Sequence, residues 1–164
     1  MSNLEKLKLN NDFNESQLAL LKLPLSLKEL DISAAMEGAM TTNLINLFQK
    51  NKECKITNLR IARKKITAKL IKAIEKHPLE KLSMIRCVIT TQAATRLSKI
   101  RGLKEIEIQK SDNAQEIARI IAINTENNEL TIKHDHTGAH MARIIKEQKQ
   151  EQDQVNCEWH HMGF

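Results

Sequence analysis

The spacing LxxLxL recurs along the chain at a nearly constant interval, and no other feature restricts the fold as tightly. Leu4, Leu7 and Leu9 form the first copy, Leu27, Leu30 and Ile32 the second, and Ile56, Leu59 and Ile61 the third. Leu79, Leu82 and Met84 follow, then Leu103, Ile106 and Ile108. A weaker sixth copy has Asn127 at the first position before Leu130 and Ile132, and a decayed last copy keeps Val155 and Cys157. The first six starts, from Leu4 to Asn127, are evenly spaced except for the step from Leu27 to Ile56, so the second repeat carries an insertion of about six residues.

Within each copy the second and third apolar side chains are two residues apart and share one face of an extended segment, so each copy predicts one half-buried strand. Between the strands a second pattern keeps the same period. Leu70, Ile71 and Ile74 return as Ala93, Ala94 and Leu97, then as Ile117, Ala118 and Ile121, and again as Met141, Ala142 and Ile145. That i, i+1, i+4 spacing marks one stripe of a helix. Pro24 and Pro78 stand where helices should stop, and Gly102 where a left-handed cap is expected. No single strand–helix unit can bury its apolar face alone, so stacked neighbours must supply the core.

These residues resemble the leucine-rich repeat family, whose consensus opens LxxLxL and often places Asn or Cys three residues further on. Cys87 holds that place in the fourth copy, whereas Asp12, Ala35, Lys64, Ser111 and Asp135 depart from it. The resemblance covers residues 4–157, and a repeat of roughly 24 residues with a helix is most similar to the ribonuclease-inhibitor class. The segment Leu23 to Ser33, LPLSLKELDIS, resembles the shorter repeats of secreted bacterial leucine-rich effectors. The resemblance implies an α/β leucine-rich-repeat solenoid, with a curved parallel sheet on its concave side and helices on its convex side. It also implies a protein partner bound on the concave face. The expected domain is a single one over 1–164, of six to seven repeats, with residues 155–164 as a C-terminal cap.

Residues between the apolar positions of each strand point away from the core. The central column of that face is expected to be Lys8, Asp31, Arg60, Ser83, Glu107 and Thr131. One flank holds Lys6, Glu29, Asn58, Lys81, Glu105 and Glu129, and the other Asn10, Ser33, Ala62, Ile85, Gln109 and Lys133. Five of these positions are basic and five acidic, which suits a protein partner better than a phosphate chain. From this face Lys8, Asp31, Arg60, Ser83, Ile85, Glu105, Glu107 and Thr131 are the candidate partner-binding residues.

The net charge of +6 is concentrated in one place. Residues 60–76 hold Arg60, Arg63, Lys64, Lys65, Lys69, Lys72 and Lys76 against Glu75 alone, which is seven minus one, or +6. Lys65, Lys69, Lys72 and Lys76 are expected on one convex helix face opposite Leu70 and Ile74. As the alternative to protein binding, this strip would attract nucleic acid or an acidic surface. An aromatic content of 2%, with no tyrosine, opposes folds that stack bases on aromatic platforms.

Motifs for catalysis are missing. There is no GxGxxG, GxxxxGK, GxSxG or HExxH, so no enzyme activity and no cofactor are expected. Cys54, Cys87 and Cys157 are odd in number and lack CxxC spacing, which fits reduced thiols, and Cys87 is expected to be a buried ladder residue rather than a nucleophile. His134, His136, His140, His160 and His161 cluster late in the chain. His136 and His140 have the i, i+4 spacing of two metal ligands, but Gly138 between them and the lack of further donors favour exposed turn histidines and no metal.

No apolar run approaches the roughly 18 residues of a membrane helix, and the first 23 residues do not read as a secretion signal. The expected location is cytoplasmic, or the host cytoplasm for a secreted effector. Leu4 begins the first strand almost at once, leaving an uncapped edge that implies either a longer chain or self-association through the N-terminal strand. Trp159, Met162 and Phe164 are expected to fold back over the last repeat as an apolar lid, after a polar run from Lys146 to Gln154.

Overall fold

The computed structural model describes residues 3–10, 15–34 and 41–134. Its elements are β1 (Lys6–Lys8), α1 (Glu15–Leu20), β2 (Glu29–Asp31), α2 (Thr42–Lys50), β3 (Asn58–Ala62) and β4 (Lys65–Ile66). They continue as α3 (Ala68–Ile74), β5 (Lys81–Ile85), β6 (Val88–Ile89), α4 (Thr91–Leu97), β7 (Glu105–Gln109), α5 (Ala114–Asn124) and β8 (Thr131–His134). The described chain is α/β. Six strands form one parallel sheet in the order β1-β2-β3-β5-β7-β8, and β4 pairs with β6 in a second, smaller parallel sheet.

Neighbours in the main sheet follow one another along the chain, each pair joined through a helix, and each helix packs on the next. Register explains why the repeat holds. Leu7, Leu30, Leu59, Leu82, Ile106 and Ile132 form one row across all six strands, and Ile61, Met84 and Ile108 a second. Leu27, Ile56, Leu79 and Leu103, just ahead of the strands, are buried as well. The helical stripes Leu70/Ile71/Ile74, Ala93/Ala94/Leu97 and Ile117/Ala118/Ile121 are all buried and close the same core. Each such Leu or Ile side chain contributes about 1.5–3 kcal/mol by leaving water, and no one unit encloses its own.

The unit boundaries recur too. Thr67 and Thr90 cap α3 and α4, their hydroxyls accepting hydrogen bonds from the N–H groups of Leu70 and Ala93 at 3.3 and 3.1 Å. A Ser or Thr oxygen in this place satisfies an otherwise orphaned helix donor. Ahead of each, one residue past its strand, the chain turns through the left-handed region: Arg63 has φ 59°, Arg86 φ 54°, and Lys110 follows β7 with φ 55°. None is glycine, and each such residue costs about 1–2 kcal/mol of strain.

Two expectations are corrected here. Gly102 is not a left-handed cap: its φ lies outside that region, and α4 ends at Leu97 with Ser98 as its C-cap. The sixth strand is also shifted by two residues. Ile132, not Leu130, stands beside Ile106, and His134 beside Ile108, so the step from Ile106 to Ile132 is wider than the preceding one from Leu82 to Ile106. The 11-residue α5 replaces the seven-residue α3 and α4, and this longer unit takes up the difference. Residues 135–164 lie outside the described residues, and with them the stripe Met141/Ala142/Ile145, the histidines 136, 140, 160 and 161, and the 155–164 cap.

Candidate interaction surface on the open sheet face

Alternate strand residues turn away from the helices, and among the described residues nothing covers most of them. β1, β2, β7 and β8 each present exposed or half-buried side chains on that side, with more deeply buried ones between. The register sets the columns. Lys6, Glu29, Asn58, Lys81, Glu105 and Thr131 stand in one row, and Lys8, Asp31, Arg60, Ser83, Glu107 and Lys133 in the next. Ala62, Ile85 and Gln109 form a third.

Thr131 therefore stands beside Glu105 rather than in the central column, and Lys133 takes the central place. The cause is the two-residue shift of β8. A slip of two keeps every side chain on its own face, so alternation alone cannot reveal it. Lys8, Asp31, Arg60, Ser83 and Glu107 stand in one row as expected, and Ile85 half-buried beside them.

The carboxylates of this face are engaged by their neighbours. Glu29 lies 3.6 Å from the Lys6 ammonium and accepts from Asn58 Nδ2 at 3.2 Å. Asp31 accepts from the backbone N–H and the hydroxyl of Ser33 at 2.9 and 2.6 Å. Glu105 lies between two lysines, 2.5 Å from Lys133 and 3.0 Å from Lys81. The hydrogen bond from Lys133 chiefly, then that from Lys81, holds the Glu105 carboxyl below the usual carboxylate range against the opposing effect of burial. Glu107 accepts from the Ser83 hydroxyl at 3.4 Å and from the Gln109 amide. Ser83 is itself buried between Arg60 and Glu107.

Arg60 differs from these acids. It is exposed and its guanidinium has no ion-pair partner among the described residues. It borders a depression of ≈ 420 Å³ whose lining includes Lys6, Lys8, Glu29, Asp31, Asn58, Lys81 and Ser83. Of the charged residues there, four are basic and two acidic.

The basic strip is more scattered than its spacing suggested. Lys69 and Lys72 lie on α3, but Lys65 is in β4, ahead of the Thr67 cap, and Lys76 is beyond the helix end. All four are exposed. Lys64, at the Asn/Cys position of its repeat, is buried.

The thiols are buried as well. Cys87 Sγ donates toward the Ile85 and Ile61 carbonyls at 3.5 and 3.9 Å, and Cys54 toward those of Pro24 and Leu23 at 3.5 and 3.6 Å. Burial pushes both thiols up from their ordinary value, which keeps them protonated and weak as nucleophiles. Among the described residues no group of three His, Cys, Asp or Glu side chains is placed to hold a metal ion, and no helix is long and apolar enough to cross a membrane.

Residues the pattern did not single out are Asn51 and His77, both buried polar groups that bind the backbone of the preceding unit. Their signal was a polar residue at the end of a helix, where the repeat has no apolar marker. No family model matches the chain, and no curated protein matches it.

Proposed function

We propose that this chain is a leucine-rich-repeat solenoid acting as a non-enzymatic interaction module, with a protein partner bound on the open face of the six-stranded sheet. One observation carries the reading. All-parallel sheets are normally covered on both faces, yet here one face is left polar and accessible among the described residues, with Lys8, Arg60, Glu107 and Lys133 in its central row. Acids and bases interleave along this surface, and such a surface matches another protein's mixed charges and opposes a uniformly negative chain. A second copy pairing along the edge strand β1 is the self-association this reading allows, and size-exclusion of the whole chain reports it. The resemblance of Leu23 to Ser33 to secreted bacterial effector repeats makes a eukaryotic lysate the first place to seek the partner.

The test is capture at physiological salt, followed by direct binding of the captured protein in purified form. The native chain is compared with Arg60→Glu/Glu107→Lys and with Lys65→Glu/Lys69→Glu/Lys72→Glu. Loss of binding with the first variant alone, and weak dependence on ionic strength, supports the open face. Capture that depends on the lysine variant, disappears on nuclease treatment and falls steeply with salt supports nucleic-acid or acidic-surface binding instead.

A further inference from the structure

We propose a second, adjoining contact strip along the carboxyl ends of the strands, formed by Arg63, Arg86 and Lys110 with Val88, which takes an acidic peptide segment of the protein partner. It rests on the protein-binding reading and extends it to the chemistry of what is bound. The three cations occupy one repeat phase, each the residue immediately after a strand and each exposed. The ladder runs through this phase, since the N–H of Arg63 donates to Ile85 and that of Arg86 to Gln109 at 2.9 and 2.8 Å. The three therefore stand one strand spacing apart, about 4.8 Å each.

All three adopt positive φ, a conformation that glycine reaches without steric cost. The chain instead places a long cation there each time. At the opposite edge of the sheet Lys28 pairs with Glu5 at 3.6 Å and Lys104 with Glu80 at 3.5 Å. The Arg63 and Arg86 side chains have no ion-pair partner among the described residues, and the turns 62–66, 85–89 and 109–113 contain a single acid, Asp112.

The chemistry favours carboxylates on a peptide over a phosphate chain. Val88 is 61% exposed on the same edge, beside Lys65, and an apolar side chain of a peptide would cover it where a phosphate chain would not. Guanidinium groups bind carboxylates and phosphates alike through two parallel hydrogen bonds, so the apolar Val88 beside them is what favours a peptide. Acidic residues on one side of a peptide recur about every 5–7 Å, helical or extended, which long Arg and Lys side chains can span. No aromatic residue lies in these turns to stack a base.

The test uses the whole chain and three labelled probes: a short Glu/Leu peptide, the same peptide with Gln for Glu, and a single-stranded oligonucleotide of matching charge. The Glu/Leu peptide is expected to bind and the Gln peptide not. Arg63→Gly/Arg86→Gly should weaken binding about tenfold without lowering the melting temperature, because glycine accepts the left-handed turn. Val88→Ser should weaken it further, and Arg60→Glu/Glu107→Lys should leave it unchanged. Peptide affinity indifferent to the glycine pair, or tighter binding of the oligonucleotide, overturns the proposal. Glycine variants that fail to bind the peptide while the open-face variant still captures the partner would uphold this strip and overturn the open-face reading. Partner binding that is lost only with the open-face variant, with peptide binding indifferent to the glycine pair, does the reverse.

Discussion

His77 Nδ1 lies 2.5 Å from the backbone carbonyl oxygen of Cys54, tying the ends of two successive strand–helix units together. A carbonyl only accepts, so Nδ1 carries the proton, and the buried ring packs edge-on to Phe48 at a centroid distance of 5.7 Å. Burial lowers the His77 pKa below 6.5, outweighing the backbone hydrogen bonds that favour the charged ring. The unfolded chain then takes up a proton near pH 6.5 that the folded chain refuses until lower pH. Stability from this group is complete above 6.5 and falls as pH drops from there toward the folded pKa. In urea titrations the native chain should exceed His77→Gln in stability at pH 8, and the difference should narrow by pH 5. A constant gap would refute the neutral buried ring.

Asn51 closes the preceding unit in the same manner. Its Oδ1 accepts from the Leu23 N–H at 2.8 Å, and its Nδ2 donates to the Leu21 and Leu47 carbonyls, both at 2.9 Å. Replacing it with Leu leaves one buried donor and two acceptors without this partner, at about 1–3 kcal/mol per group that water cannot reach. Asn51→Leu should destabilise by about 2–4 kcal/mol, whereas Asn51→Asp should retain the Leu23 contact and lose less at low pH than at neutral pH. Chemical denaturation at two pH values separates these outcomes.

The layered rows were legible because they rest on two periods that must agree. Leu30, Leu59, Leu82 and Ile106 mark the strands while Leu70, Ala93 and Ile117 mark the helices, and the register places both sets as expected. What escaped was whatever keeps the period's parity. The two-residue displacement of Lys133 and Thr131 leaves inside and outside unchanged, so hydrophobicity carries no trace of it. Lys65 at helical spacing from Lys69 was misleading because Thr67 starts the helix later. The left-handed turns at Arg63, Arg86 and Lys110 carry no glycine to announce them. The roles of His77 and Asn51 escaped for a different reason: their partners include backbone carbonyls 23 and 30 residues away.

Gly102 and Arg63 should respond oppositely to what composition suggests. A Cβ at Gly102 would meet only the Leu79 carbonyl at 3.8 Å, an ordinary contact, and the φ is not left-handed. Gly102→Ala should therefore be neutral or add about 0.5 kcal/mol through the unfolded state. At Arg63 glycine relieves about 1–2 kcal/mol of strain against about 0.5–1 kcal/mol of backbone entropy, so Arg63→Gly should gain up to about 1.5 kcal/mol. Arg63→Val, which is β-branched, should lose stability. Melting temperatures of the three variants decide, and a stabilising Arg63→Val would sink the account.

Glu105 is the charge centre of the open face, and its two lysines make a distinct acid-side prediction. Its carboxyl is held below the ordinary range, first by Lys133 and then by Lys81. The unfolded chain protonates this group near pH 4.5, before the folded chain does, so the stability it supplies is present above that value and is lost as pH falls through the folded pKa. The gap between the native chain and Glu105→Gln should close as pH falls below 4.5 and through the lowered folded pKa. Because both lysines act on one carboxylate, Lys81→Ala and Lys133→Ala should each cost less in the Glu105→Gln background than in the native chain, a non-additivity that a double-mutant cycle at pH 7 reads directly. Raising salt should shrink that coupling, since the lysine side chains are 44% and 42% exposed. Purely additive costs would mean that Glu105 holds neither lysine in solution, and the ordered row of charges beside Arg60 would then be no prearranged surface for a partner.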